Sequence, residues 1–219
     1  MVSAIYLIAI GLGAAFLLGL LTEKWRNSAY GIMIAALASM TWIPAIWLWS
    51  FNIKGATTID VFTAGTLPPF AINLRIGLAE AVLILLVTMT CLLSALYLKR
   101  SLIRQGRRAM AVMLIVTMAL CGIILTRDVF NLFVFVELSV IATAGLILLS
   151  EDVRALGSGF KYLVIGQLVS ILFLIGIIFA YHTSGSLNID SMAESSMMML
   201  KGGSLAFFLM LIALIIEIK

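Results

Sequence analysis

Long apolar runs separated by short polar segments are the feature that most limits how this chain can fold. The runs are about twenty residues long, which is the length that lets an α-helix cross the hydrocarbon core of a bilayer. They lack the strict alternation of apolar and polar residues found in transmembrane barrel strands. With 63% of its 219 residues hydrophobic and 11% charged, the chain has too little polar surface for a soluble domain. The predicted fold class is an all-α integral membrane protein.

Seven segments are predicted to span the membrane, and the basic residues predict their orientation. Lys and Arg are concentrated in alternate loops, at Lys24 and Arg26, in the segment 99–108 and at Arg154. Because cytoplasmic loops carry an excess of Lys and Arg, we expect these loops inside and the N-terminus outside. The first run follows Met1 without a basic region, so we expect it to remain as a helix rather than to be cleaved. The predicted spans are 3–21, 29–51, 76–98, 109–125, 129–150, 160–181 and 204–219.

Two of the predicted external connections carry signals of local structure. The connection between the second and third spans contains Pro68 and Pro69, which lack amide donors and favour extended backbone. We expect a loop there in which a short hairpin would fit. The segment 182–203 is polar and rich in Gly and Ser, and residues 197–200 within it are candidates for a short interfacial helix.

A carboxylate lies deep inside the fifth predicted span. The segment 126–139 opens an apolar run that continues to Leu149, and Glu137 stands about nine residues, or roughly 12 Å, into that run. An ionised carboxylate without a partner costs a few kcal/mol at such a depth, so Glu137 should face protein or water and have a partner. Residues of this kind usually belong to a proton or ion path. The alternative is a structural carboxyl that is hydrogen-bonded to a neighbouring helix.

Three other charged residues enter or border predicted spans. Lys161 lies just inside the sixth span, where its long stem could equally carry the ammonium to the headgroups. Lys219 stands about fifteen residues, or roughly 22 Å, into the last predicted helix. As a true C-terminus it would lie at the inner interface; the alternative is that the sequence stops partway along a longer chain. Glu80, five residues after Arg75, is interpreted as an interfacial anchor rather than a channel residue.

Several classes of site are not indicated by the sequence. Cys91 and Cys121 lie in apolar runs without a CxxC spacing, so we predict free, apolar cysteines rather than a disulfide or metal site. His182 has no second ligand nearby and is predicted to be solvated at a helix end. The net charge of +4 resides at the ends of apolar runs and predicts no nucleic-acid binding. Without a nucleotide loop, a Cys cluster, a haem motif or a catalytic constellation, we expect no cofactor, metal or catalytic residue in this chain.

The segment around Glu137 resembles a known membrane family. The sequence DVFNLFVFVE at 128–137 is similar to the fifth transmembrane helix of the antiporter-like subunits shared by Mrp-type Na+/H+ antiporters, membrane-bound hydrogenases and respiratory complex I. FKYL at 160–163, PPFAI at 68–72 and an ending similar to the family's seventh helix support the resemblance. It covers essentially the whole chain and implies the N-terminal half of an inverted-repeat fold. The implied division is a three-helix segment, 1–108, followed by the incomplete start of the first proton half-channel repeat, 109–219.

The resemblance implies a proton relay. In that family the glutamate of helix five and the lysine of helix seven form a mid-membrane pair, and Glu137 and Lys219 are the matching positions. Lys161 is a further relay candidate, and Asp128 and Glu217 are accessory candidates. A buried glutamate and lysine lower each other's cost of ionisation, so movement of the lysine would switch the proton affinity of the carboxyl. The expected function is translocation of H+, or exchange of Na+ for H+, driven by a redox partner or an ion gradient.

The same resemblance sets the expected partners and leaves alternatives open. The expected partners are other membrane subunits, the lipid bilayer, H+ and Na+, in a prokaryotic inner (plasma) membrane, within a translocase whose redox site lies in another subunit. The family usually continues beyond the helix-seven lysine to an eighth helix and an inverted second repeat, and Glu217 also departs from its pattern. The chain is therefore expected to be either part of a split or truncated subunit completed by another chain, or a non-conducting structural subunit that docks its neighbours.

Overall fold

The computed structural model describes residues 3–55, 58–63, 71–149, 153–194 and 201–217, which form nine α-helices and a two-stranded antiparallel sheet. A short 3-10 turn, Glu23–Trp25, lies between the first two helices. The helices are α1 (Ala4–Leu20), α2 (Arg26–Lys54), α3 (Leu78–Tyr97), α4 (Lys99–Gln105), α5 (Arg107–Leu125), α6 (Val129–Leu148), α7 (Val153–Ser184), α8 (Ile189–Glu194) and α9 (Lys201–Glu217), and the strands are β1 (Ile59–Phe62) and β2 (Asn73–Ile76).

An apolar helix overlaps each of the seven predicted spans. Within the described part of the chain, five helices are long and apolar enough to cross a membrane, namely α2, α3, α5, α6 and α7. The helices α1 and α9 are also apolar, but each has 17 residues. The helical membrane fold is therefore confirmed, whereas the number of seven spans and the position of the N-terminus outside stay predictions.

The helix α7 begins at Val153, before its predicted start at residue 160, and Gly159 lies inside the helix. Gly159 lies where α6 and α7 come close together, and a Cβ atom there would be 2.8 Å from Leu148 Cδ2. The glycine therefore permits close approach of the two helices instead of ending one of them. Its role depends on the neighbouring helix, which the local sequence does not show.

The basic connection between α3 and α5 contains the helix α4, which was predicted only as a loop. Gly106, whose φ is 86°, ends α4 in a conformation that L-residues rarely adopt. Arg26 Nη1 donates a hydrogen bond to the Arg104 carbonyl at 3.2 Å, and Arg107 Nη1 donates to the Leu18 carbonyl at 3.4 Å. These hydrogen bonds satisfy carbonyl groups at the ends of α4 and α1. They also place the guanidinium groups of Arg26 and Arg107 at the same end of the helix bundle.

The opposite end of the bundle is closed by extended backbone. The strands β1 and β2 pair in antiparallel register, which confirms the expected hairpin, although Pro68 and Pro69 lie outside the described residues. Leu74 of β2 forms a bridge with Thr126, between α5 and α6, and Asp128 forms a bridge with Asn188, between α7 and α8. The three connections predicted to be external therefore meet at one end. We call residues 59–62, 73–76, 126–128 and 187–189 the end layer.

Ion pairs fasten the end layer to the helices. Arg75 Nε lies 3.0 Å from Asp60 Oδ1, and Arg75 Nη2 lies 2.6 Å from Asp190 Oδ2 on α8. Burial lowers the pKa of Arg75, but its hydrogen bonds and charge interactions with the two carboxylates outweigh this effect and raise the pKa overall. Arg127 Nη2 lies 2.8 Å from Glu80 Oε1. Glu80 is thus an ion-paired anchor, and its partner is Arg127.

The interior of the helix bundle is packed with apolar side chains. Cys121 is buried, Cys91 is partly buried and both are free, as predicted, and His182 is exposed near the end of α7. Gly122 on α5 faces Phe135 on α6 so closely that a Cβ atom would lie 2.5 Å from the ring atom Cδ1. Phe135 precedes Glu137 by two residues on α6, so the close contact between α5 and α6 lies near the level of the carboxylate in the bundle.

Candidate functional site

Glu137 lies in the middle of α6 and contacts polar groups on α7. Gln167 Nε2 donates a hydrogen bond to Glu137 Oε1, and Ser170 Oγ donates one to Glu137 Oε2. Each carboxylate oxygen therefore has a donor from the neighbouring helix, while Glu137 itself is half-buried. The expected partner of a carboxylate at membrane depth is thus found, in the form of two neutral donors.

The two donors were missed in the sequence, although a signal for them exists. Gln167 and Ser170 are three residues apart, so they lie on the same face of α7. They interrupt a long apolar stretch in the middle of that helix, where a polar side chain needs a partner in hydrocarbon. The spacing could have identified a polar face of α7, but the sequence does not show that this face meets α6 at Glu137.

Asp128 marks the start of α6. It is the N-cap residue, and its Oδ1 accepts a hydrogen bond from the Asn131 N–H at 2.8 Å. Thr126 Oγ1 accepts from the Asp128 N–H at 3.2 Å and from Asn131 Nδ2 at 3.0 Å. Asp128 is only 8% exposed, and burial raises the pKa of its carboxyl, while hydrogen bonds from the Asn131 and Phe130 backbone oppose the rise. The geometry gives Asp128 a capping role.

Removal of this cap should destabilise the fold. We expect Asp128→Ala to lower the free energy of unfolding by about 1 kcal/mol, because the Asn131 N–H loses its acceptor. Asp128→Asn retains a side-chain oxygen and should cost less. Burial raises the pKa of Asp128 in the folded protein, so its carboxyl contributes fully to stability below the pKa of an unfolded aspartate, where it is protonated. This contribution is lost as the pH rises through the folded-state pKa. The Asn variant should therefore gain in stability relative to wild type as the pH rises.

Thermal unfolding in detergent at several pH values measures both effects. An Asn variant as unstable as the Ala variant would show that the Asp128 side chain does not cap α6. A constant difference between wild type and the Asn variant at all pH values would show that burial does not disfavour the charged form.

A narrow cleft between α6, α7 and α9 is lined in part by Ser170, the donor to Glu137 Oε2. Its volume is about 10 Å³, which is close to the space that one water molecule needs. Ser170 and Glu217 are its polar lining residues, and Phe173 and Leu214 line both this cleft and a larger apolar cavity of about 430 Å³. Glu217 is also near enough to Tyr162 on α7 to interact with it electrostatically. The remaining residues that line the cleft are Val136, Val169 and Ala213.

The lysines of the predicted relay are not joined to Glu137 by a described contact. Lys161 lies on the exposed surface of α7, and Lys219 lies outside the described residues. The pairing of Glu137 with Lys219, and relay roles for Lys161, Asp128 and Glu217, therefore stay predictions. Within the ranges that the structure describes, no group of three or more His, Cys, Asp or Glu residues is arranged to hold a metal ion.

The second half of the chain matches a family of membrane domains. Residues 126–219 match the family described as NADH:quinone oxidoreductase/Mrp antiporter, TM. The match begins in the end layer, just before α6, and it includes Glu137 and both of its donors on α7. The resemblance drawn from the sequence is thereby confirmed.

Individual relatives point to the same group of proteins. A Na(+)/H(+) antiporter subunit of Alkalihalophilus pseudofirmus is 43% identical over 72 residues, which are 33% of this chain and 15% of that protein. An NADH-quinone oxidoreductase subunit of Desulforudis audaxviator is 29% identical over 167 residues, which are 74% of this chain and 33% of that protein. A chain of the membrane-bound sulfane sulfur reductase, an archaeal respiratory membrane complex, aligns with a TM-score of 0.82 at 25% identity and covers 96% of this chain and 44% of that one. The chain spans less than half of each of the three.

Proposed function

Because this chain carries the transmembrane domain of the NADH:quinone oxidoreductase/Mrp antiporter family, we propose that it is a subunit that moves H+, or exchanges Na+ for H+, across a prokaryotic plasma membrane. The observation that carries the proposal is Glu137, whose two oxygens both accept hydrogen bonds from α7. A carboxyl group can both bind and release a proton, and its position in the middle of α6 places it within one of the helices able to cross the membrane.

In this proposal Glu137 binds and releases the proton, and Lys219 is its charged partner. Lys161 has an accessory role at the surface of α7. The energy comes from other membrane subunits, through either an ion gradient or a redox reaction, since this chain holds no cofactor of its own in our proposal. The names of the relatives include both antiporter and oxidoreductase subunits, so both driving forces belong in the test.

A structural subunit is the second candidate, and the same hydrogen bonds favour it. Two bonds from α7 to a single carboxylate also fasten α6 to α7, and the ion pairs of the end layer fasten the connections between helices. In that case Glu137 would stay in one protonation state, and the chain would dock its neighbours without conducting. The two candidates differ in whether transport depends on a reactive, exchangeable proton at Glu137.

Carbodiimide modification tests the proposal. Dicyclohexylcarbodiimide reacts with carboxyl groups in apolar surroundings, so we expect an adduct on Glu137. Inside-out membrane vesicles containing the complex, driven either by an electron donor or by a Na+ gradient, should lose H+ transport in proportion to the modified fraction. Mass spectrometry identifies the modified residue, and Glu80, paired with Arg127, is the internal control. Complete modification of Glu137 with unchanged transport would instead support the structural subunit.

A further inference from the structure

We propose that Ser170 passes the proton between Glu137 and the cleft that leads to Glu217, an inference that rests on the proposed function. Ser170 is the residue that joins the two groups. Its Oγ donates a hydrogen bond to Glu137 Oε2, and the same residue lines the cleft together with Glu217. Ser170 is 7% exposed, so its side chain is largely shielded from the surroundings of the protein. Glu217 is then a second proton-binding group, on α9.

The chemistry of a hydroxyl allows this transfer. A serine oxygen carries one proton and two lone pairs, so it can donate to Glu137 and accept from a water molecule in the cleft at the same time. In the step we propose, the Ser170 O–H bond breaks as its proton moves to Glu137, and a new O–H bond forms with a proton from the cleft water. Protonated Glu217 then gives its proton to that water and becomes the carboxylate. Serine ends neutral, and reversal of the step releases the proton.

Gln167 cannot perform the same step, although it bonds the same carboxylate. The nitrogen of an amide donates its protons but has no lone pair free to accept one. Gln167 is therefore a positioning residue that holds Glu137 Oε1, whereas Ser170 both positions and transfers. Loss of either side chain removes one hydrogen bond from Glu137, so a comparison of the two separates transfer from positioning.

The cleft is suited to a single water molecule. Its volume of about 10 Å³ is at the lower limit for one molecule, and its polar lining residues, Ser170 and Glu217, come from α7 and α9. The apolar walls, which include Val136 and Phe173, leave such a water few alternatives to hydrogen bonds with Ser170 and Glu217. A water confined in this way is oriented between the two groups.

Ser139 provides a matched control. It lies on α6 two residues from Glu137, but its Oγ donates to the Val136 carbonyl of its own helix at 2.7 Å. Ser139→Ala removes a hydroxyl of the same kind, at nearly the same level of the same helix bundle, without changing the contacts of Glu137. It should therefore keep wild-type H+ flux.

The experiment measures H+ flux in vesicles that contain the assembled complex. We expect Ser170→Ala and Glu217→Gln each to lower the flux at least about tenfold, since a positioned proton-transfer group contributes about that much or more. Gln167→Ala should cause a smaller loss, and Ser170→Thr, which retains the hydroxyl, should recover most of the flux. Native gel electrophoresis identifies the variants that assemble. If Ser170→Ala fails to assemble, Glu217→Gln and Ser170→Thr still decide the outcome.

The possible results separate failure of the transfer path from failure of the function. Wild-type flux in Ser170→Ala or in Glu217→Gln, with none in Glu137→Gln, would overturn the path and leave the proposed function intact. Equal losses in Ser170→Ala and Gln167→Ala, without recovery in Ser170→Thr, would reduce Ser170 to a positioning residue and also overturn the path. Wild-type flux in Glu137→Gln would overturn the proposed function itself.

Discussion

Replacement of Glu137 by Gln should reduce H+ flux by at least about a hundredfold while the complex remains assembled. Gln has the shape of Glu, but it cannot ionise at physiological pH, so the step in which a proton binds and leaves is lost. The Ser170 hydroxyl can rotate and the Gln167 amide can turn over, so both can meet the new amide group. We therefore expect a stability change of about 1 kcal/mol or less, the net value of a typical hydrogen bond.

Two further variants distinguish loss of the proton from loss of the structure. Glu137→Asp keeps an ionisable group but withdraws it from the donors on α7, so its flux should lie between those of wild type and Glu137→Gln. Glu80→Gln is a matched change of carboxylate to amide in the ion pair with Arg127. It should cost stability, by about 1 kcal/mol for a partly exposed pair, and retain flux. If Glu137→Gln transports protons normally in an assembled complex, Glu137 is structural.

The features that could be predicted from the sequence are those that depend on the residues of a single helix. The apolar runs predicted the helices, and the depth of Glu137 in its run predicted that it needs a partner. The identity of that partner depends on which faces of α6 and α7 meet, and helix rotation is determined by packing among several helices. For this reason Gln167 and Ser170 could not be predicted as the donors to Glu137, although their spacing places them on one face of α7.

The positions of Gly159 and of the connections between helices also depend on contacts between residues that are far apart in the chain. Gly159 looks like a loop residue in isolation, and only the proximity of Leu148 explains why it lies inside α7. The hairpin of the end layer was recognisable from its local sequence, but its bridges to Thr126 and beyond join connections that are far apart in the chain. Glu80 was interpreted as an interfacial anchor from the sequence. Its ion pair with Arg127 could not be predicted, because the two residues are far apart in the chain.

A methyl group added at Gly122 should disturb both stability and transport. A Cβ atom there would lie 2.5 Å from Phe135 Cδ1, well inside van der Waals contact, and Phe135 is itself buried between the helices. We expect Gly122→Ala to lower the free energy of unfolding by about 1–3 kcal/mol, the usual cost of overpacking a core. Because Phe135 and Glu137 lie on the same helix, relief of the clash by movement of α6 would also pull the carboxylate from Gln167 and Ser170. H+ flux should therefore fall as well.

Two comparisons make this prediction specific. Gly31→Ala on α2 introduces the same methyl group where it meets nothing within 4 Å beyond its own stretch of helix, so it should leave flux unchanged and stabilise the helix by up to about 1 kcal/mol. Phe135→Leu shortens the side chain that the new methyl group meets, so the double variant should recover stability and flux relative to Gly122→Ala alone. Thermal unfolding and vesicle transport measure the two quantities. If Gly122→Ala loses stability but keeps full flux, the spacing of α5 and α6 does not control the position of Glu137, and the contact between Gly122 and Phe135 serves packing alone.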